Sequence, residues 1–63
     1  MIKIAIDAMG GDYAPKQQVL GAVDALNKEK DLYLILCGDE PQIKAVLADC
    51  KYDPTRLEIV PTT

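Results

Sequence analysis

Hydrophobic positions along the chain concentrate in three short runs, separated by two segments of mixed character. Residues 2–6 are rich in β-branched side chains, and residues 32–37 are apolar almost without a break, as in strands that are covered on both faces. Residues 57–60 form a third run, which Pro61 ends. Each run predicts a β-strand.

In the two segments between the runs, apolar residues recur at spacings of three and four, which is typical of amphipathic helices. The first helix is predicted to begin at about Pro15, because the missing N–H of proline costs nothing in a first turn. The second is predicted to begin at Asp39, which has Gln42 at capping-box spacing, and to end at residues 51–54. Their apolar faces are Val19, Ala22, Val23 and Leu26, and Ile43, Val46, Leu47 and Cys50.

The predicted order is therefore βαβαβ, which implies an α/β fold with parallel strands joined by right-handed helical crossovers. Three strands and two helices do not complete such a sheet. Strands added in one direction leave one face bare, and a reversed order gives each face only one helix, so Leu34 or Ile35 would be poorly covered. We therefore expect residues 1–63 to be the N-terminal part of a single larger α/β domain without an internal boundary, or a fragment that a partner covers.

Composition limits the function classes. Hydrophobic residues make up 49% and charged residues 27% of the chain, as in ordinary globular domains. The net charge of -3 and the lack of a basic cluster argue against nucleic-acid binding, and against membrane association through this segment. Without a leader-like or membrane-spanning run, we expect a cytoplasmic protein. Cys37 and Cys50, with no His, predict buried, reduced thiols and no zinc site.

The segment between the first strand and the first helix is the one that indicates chemistry. Gly10 and Gly11 allow positive φ or close approach of a ligand, and open α/β sheets bind ligands at the carboxyl ends of their strands. Helix N–H groups favour an anion there, which indicates phosphate. We predict a phosphate-binding or substrate-binding loop, called the glycine loop below, formed by Asp7, Ala8, Met9, Gly10, Gly11 and Asp12.

The carboxylates of the glycine loop complicate phosphate binding. Two unit charges about 4 Å apart repel by about 4 kcal/mol at an effective dielectric constant near 20, against about 0.3 to 1 kcal/mol from a helix dipole. A phosphate close to Asp7 or Asp12 would therefore need a metal ion, or Lys and Arg side chains from outside the chain. We expect no cofactor and assign no metal ligand.

Purely structural interpretations of the same residues remain open. The two glycines can form a simple turn, Asp7 can bind loop amides, and Asp12 can cap the first helix. The spacing is neither the dinucleotide fingerprint nor the P-loop pattern. Two other functions also remain open: a metal-dependent phosphoryl-transfer or phosphatase domain with Asp7 and Asp12 around a divalent ion, and a non-catalytic interaction fragment.

Residues 1–12, followed by Ala14 and Pro15, resemble the opening of the bacterial phosphate acyltransferases of phospholipid synthesis. Residues 34–40 resemble the second strand and turn of that family, and residues 56–60 resemble its third strand. Many members have His where this chain has Tyr13, which puts in doubt any role that needs an imidazole there.

The resemblance implies a three-layer α/β/α, Rossmann-like fold similar to that of phosphotransacetylases and isocitrate dehydrogenases. It also implies an acyltransferase that moves a fatty acyl group from acyl carrier protein to inorganic phosphate, giving acyl phosphate, and that is usually a homodimer. On this interpretation most of the active site lies beyond Thr63, and its catalytic residues are unknown.

Overall fold

A computed structural model describes residues 1–62 of the chain. The elements follow in the order β1 (Ile2–Asp7), α1 (Lys16–Lys28), β2 (Leu32–Gly38), α2 (Glu40–Leu47), a 3-10 turn (Pro54–Arg56) and β3 (Leu57–Pro61). The predicted βαβαβ order and α/β class are thereby confirmed. The predicted ends differ in detail, because α2 already ends at Leu47 and Pro61 is the last residue of β3.

The three strands form one parallel sheet in the order β1-β2-β3. Leu34 in the central strand lies beside Ile4 of β1 and Leu57 of β3, so that these three side chains share a face. Helix α1 packs on β2, α2 packs on β3, and the two helices pack on each other. The chain therefore adopts the first of the two arrangements considered above, with strands added in one direction and both helices on one face.

The hydrophobic core lies between the two helices and the face of the sheet that they cover. Its fully buried side chains include Val19 and Leu26 from α1, Leu34 and Leu36 from β2, and Ile43 from α2. On the opposite face, called the open face below, Ile35 is only half-buried. We expected either Leu34 or Ile35 to be poorly covered, and the poorly covered residue is Ile35. The sequence of β2 did not show which, because it is apolar throughout.

The open face is polar near the start of the strands. The Tyr33 hydroxyl donates to the Glu58 carboxylate at 3.1 Å, and the Lys3 ammonium lies 5.3 Å from the centre of the Tyr33 ring. Desolvation, and then the neighbouring Glu58 carboxylate, raise the pKa of Tyr33. Toward the strand ends the face carries the apolar residues Ala5, Ile35, Cys37 and Val60, with Asp7 beside Cys37 at the end of β1.

A second exposed apolar region lies at the β1 edge. Ile2 and Ile4 face the helix side of the sheet, yet 59% and 44% of their surfaces are exposed, because α1 packs over β2 and does not reach them.

Both free thiols are only half-buried, which corrects the expectation of buried cysteines: Cys37 lies on the open face, and Cys50 donates to the Val46 carbonyl at 3.4 Å. Neither helix among residues 1–62 has the length and hydrophobicity of a bilayer-spanning segment.

The connection between α2 and β3 contains an arginine that holds the end of α1. The Arg56 guanidinium donates to the carbonyls of Glu29 and Leu32 at 3.0 Å each, and to that of Leu26 at 3.3 Å. Its side chain is only 12% exposed. The last carbonyls of a helix have no partner within the helix, so Arg56 supplies one from another element.

Asp53 holds the 3-10 turn in which Arg56 lies. Its carboxylate accepts from the Thr55 N–H at 3.0 Å and from the Thr55 hydroxyl at 2.6 Å, and it pairs with the Arg56 Nε at 3.3 Å. The hydrogen bonds from Thr55, followed by the effect of Arg56, lower the pKa of Asp53 below its ordinary value of 3.8. The charged form of Asp53 is therefore favoured by folding.

Folding stability should consequently fall in acid through Asp53. Because its pKa is lower in the folded than in the unfolded state, its stabilising effect is present above the ordinary value of 3.8 and is lost as pH falls through the lower folded value. We expect Asp53→Asn to lower the thermal midpoint at neutral pH, with a difference from the unaltered protein that shrinks toward about pH 2. Thermal unfolding of both proteins across this range measures it. A difference that stays constant with pH would contradict the assignment.

Candidate functional site

The glycine loop lies at the edge of the sheet where all three strands end, called the carboxyl edge below. The Ala8 N–H donates to the Cys37 carbonyl at 2.9 Å, and the Thr62 N–H donates to the Gly38 carbonyl at 3.0 Å. The loop therefore begins next to the turn between β2 and α2, and the residue after β3 bonds to that same turn. This is the edge at which open α/β sheets bind ligands.

Within the loop, the predicted roles of the glycines and of Asp7 separate clearly. Gly11 has φ of 95°, a conformation that side chains other than glycine rarely adopt, whereas Gly10 is not among the residues with positive φ. The Asp7 carboxylate accepts from the Met9 N–H at 2.9 Å, which is the structural role considered for it above. The N–H groups of Gly10, Gly11 and Asp12 make none of the hydrogen bonds found among residues 1–62.

Gln18 completes the loop, although it was not among the residues predicted for the site. Its side-chain amide donates to the Gly10 carbonyl at 2.6 Å, and it lies 3.5 Å from the place that a Cβ on Gly11 would occupy. Gln18 is the third residue of α1, a position from which a side chain reaches back over the start of a helix. A polar residue in the first turn of the helix that follows a glycine pair is the signal that could have identified it.

Asp12 does not cap α1, so that interpretation was wrong. The N-cap residue is Pro15, and α1 begins at Lys16 without a capping side chain. The Tyr13 carbonyl accepts from the Gln17 N–H at 3.3 Å, and a turn at residues 12–15 separates Asp12 from the helix. The backbone thus already supplies the partner that the cap was expected to provide.

Asp39 takes the predicted N-cap position of α2, but the capping box does not form. Its carbonyl accepts from the Ile43 N–H at 3.0 Å, whereas its side chain makes no cap hydrogen bond. Pro41 in the first turn removes one of the amides that the Asp39 carboxylate could bind. The Asp39 side chain is therefore left at the carboxyl edge, together with Asp7.

The charges at this edge are mainly negative. The carboxylates of Asp7, Asp12 and Asp39 are all there, and Lys16 at the start of α1 is the first cation after the loop along the chain. Among residues 1–62, His, Cys, Asp and Glu side chains do not gather into a group of three that could hold a metal ion. The loop offers free backbone N–H groups, which bind anions. The carboxylates at the same edge, however, repel an anion.

Known proteins resemble this chain along nearly its whole length. It is 51% identical over 59 residues to the phosphate acyltransferase of Clostridium tetani, and 48% identical over 59 residues to that of Dictyoglomus thermophilum. It is also 48% identical over 61 residues to the phosphate acyltransferase of Listeria welshimeri.

These matches cover 94%, 94% and 97% of this chain, but only 18%, 17% and 17% of the three relatives. The family model described as "Fatty acid synthesis protein" matches residues 2–63. The chain thus belongs to the fatty acid synthesis protein family, whose named relatives here are phosphate acyltransferases.

Proposed function

We propose that this chain is the phosphate-binding part of an enzyme that transfers a fatty acyl group from acyl carrier protein to inorganic phosphate. The observation that carries the proposal is the glycine loop at the carboxyl edge, where the N–H groups of Gly10, Gly11 and Asp12 make no hydrogen bond within residues 1–62. The relatives named phosphate acyltransferase support phosphate as the anion, and a family of fatty acid synthesis proteins supports a fatty acyl group.

In this proposal the loop residues have two different tasks. The N–H groups of residues 10–12 bind phosphate oxygens, since consecutive free N–H groups form a site for anions. Asp7 orders the loop through its bond to the Met9 N–H and does not touch phosphate. Repulsion from the loop carboxylates is offset by Lys or Arg side chains outside this chain, because Lys16 alone follows the loop closely, and Lys3 lies near the opposite end of β1.

The reaction then needs little covalent chemistry from this segment. A phosphate oxygen attacks the thioester carbonyl carbon of the acyl carrier protein, and the carbon–sulfur bond breaks. The carrier thiolate leaves and takes up the proton that the hydrogen phosphate loses. The product is acyl phosphate. Holding phosphate in line with the carbonyl contributes to the rate, and stabilisation of the oxyanion contributes the rest. We assign the first task to the glycine loop and the second to residues outside this chain.

The same proposal includes a larger assembly. We propose that residues 1–63 are the first part of one larger three-layer α/β/α domain, in which other segments cover Ile2 and Ile4 at the β1 edge and Ile35 on the open face. The enzyme is proposed to be a cytoplasmic homodimer. Acyl carrier protein is acidic as a class, so that it docks on a basic surface away from this segment of net charge -3.

Steady-state kinetics of the full-length protein test the proposed function. Acyl carrier protein loaded with a fatty acyl group is supplied with phosphate, and acyl phosphate is trapped as the hydroxamate. We expect Asp7→Ala, which removes the bond to the Met9 N–H, to raise KM for phosphate roughly tenfold. Asp7→Asn keeps an acceptor for that N–H, so its KM for phosphate should stay close to that of the unaltered protein.

Asp49→Ala removes an exposed carboxylate just after α2 and is the matched control, expected to leave KM unchanged. Acyl transfer that does not depend on phosphate would contradict the proposal. Hydrolysis of phosphomonoesters that requires a divalent ion would instead favour the phosphatase alternative.

A further inference from the structure

Gly38, at the end of β2, lies beside the glycine loop in a backbone held from both sides. Its carbonyl accepts from the Thr62 N–H at 3.0 Å, and the carbonyl of the preceding Cys37 accepts from the Ala8 N–H at 2.9 Å. Ala8 is fully buried. The backbone at residue 38 is therefore anchored to both neighbouring strand ends, and it cannot shift without breaking one of these bonds.

The space where a side chain at residue 38 would lie is filled by Met9. A Cβ added to Gly38 would lie 2.7 Å from Met9 Cγ, 2.9 Å from Met9 Sδ and 3.3 Å from Ile43 Cδ1. Ile43 is fully buried in the core, whereas Met9 is partly exposed. The Met9 side chain is thus the group that would have to shift from its present position if residue 38 carried a Cβ.

We infer that Gly38 and Met9 are positioning residues that fasten the glycine loop to the turn between β2 and α2. Met9 belongs to the loop, where its N–H binds Asp7, and its side chain lies against Gly38. The contact therefore sets the distance between the free N–H groups of residues 10–12 and the start of α2. Its effect on phosphate binding rests on the proposed function, whereas its effect on the loop does not.

A double-mutant cycle in the full-length protein tests this contact. We expect Gly38→Ala and Met9→Ala each to raise KM for phosphate roughly tenfold with kcat little changed, because the loop is displaced but the reacting groups remain. The double variant should be no worse than the more affected single variant, since both changes break the same contact. Met9→Ala adds no atom, and it keeps the test open if Gly38→Ala does not fold.

Gly21→Ala is the matched control. Gly21 lies on the exposed side of α1, where an added Cβ meets nothing within 4 Å, so this variant should leave KM unchanged.

Amide hydrogen exchange provides a readout that is independent of the reaction. Exchange at the Ala8 and Met9 N–H groups, which are hydrogen-bonded to the Cys37 carbonyl and the Asp7 carboxylate, should become faster in both single variants, and no faster in the double variant than in the single ones. If the unaltered protein does not use phosphate, the proposed function fails, and exchange alone then decides whether the contact positions the loop. Effects that multiply in the double variant, or single variants that change neither exchange nor KM, would overturn the inference. Faster exchange with an unchanged KM in an active enzyme would confirm that the contact fastens the loop and would contradict the proposed binding of phosphate by that loop.

Discussion

Replacing Arg56 with leucine is expected to lower the free energy of unfolding by about 3 kcal/mol, because it leaves several backbone carbonyls without their charged donor. Those carbonyls belong to Leu26 and Glu29 at the end of α1 and to Leu32 at the start of β2. The guanidinium is largely buried, so water replaces it poorly at these sites. Urea unfolding of the full-length protein, followed by a probe on this segment, measures the loss.

Two variants separate the effect of the several N–H donors of the Arg56 guanidinium from the effect of its positive charge. Arg56→Lys keeps a cation near Asp53 but cannot donate in three directions in one plane, so it should lose a large part of the same stability. Lys44→Leu removes an exposed cation, paired with Glu40 at 3.4 Å, and should change stability by less than about 1 kcal/mol. Equal losses for Lys44→Leu and Arg56→Leu would mean that the hydrogen bonds to carbonyls are not what stabilises this junction.

The role of Arg56 was not visible in the sequence, because its partners are distant along the chain. The Leu26 carbonyl is 30 residues away and the Leu32 carbonyl is 24 residues away. No local pattern of residue types encodes which carbonyls will lie next to which side chain. The strands and helices themselves were predictable, because alternation of apolar runs with spacings of three and four depends on neighbours a few residues away.

The sheet order was open for a similar reason. A βαβαβ chain can add its strands in one direction or reverse, and the residues of β2 are apolar on both faces in either case. In the structure the strands add in one direction and both helices pack on one face of the sheet. Ile35, on the opposite face, is left half-buried as a result. The early end of α2 also escaped the pattern. The N–H groups of Asp49 and Cys50 bind carbonyls three residues back, and this tighter turn keeps Cys50 near the apolar side.

For the candidate site, the sequence identified the location but not the contacts. The place of the glycine loop at the carboxyl edge, and the positive φ of Gly11, follow from a glycine pair after a β-strand. The capping role of Asp12 failed because the backbone of Tyr13 satisfies the Gln17 N–H. The contact of Met9 with Gly38 joins the glycine loop to the end of β2, so it could be found only once the strands were placed side by side.

Replacing Gly11 with valine should have the largest effect on activity, lowering kcat/KM for phosphate roughly 100-fold, since a displacement of about 1 Å can have that effect. A β-branched residue at φ of 95° is strained, and left-handed backbone already costs about 1–2 kcal/mol for an ordinary side chain. The added atoms also approach Gln18, which lies 3.5 Å from the Cβ position. The loop should relieve the strain by moving outward and breaking the bond between Gln18 and the Gly10 carbonyl.

Residues 11–13 are exposed, so this movement disturbs little of the core. We therefore expect a large loss of kcat/KM together with only a small fall in the thermal midpoint. Gly21→Val is the matched control: the same substitution in α1, at an exposed site with free space, should change neither quantity appreciably. Phosphate saturation curves and thermal unfolding of both variants give the comparison. Normal phosphate kinetics in a folded Gly11→Val protein would show that the loop conformation does not matter for phosphate. A large fall in the thermal midpoint that accompanies the loss of activity would instead mean that Gly11 is needed for folding stability, and that the loop is a simple turn.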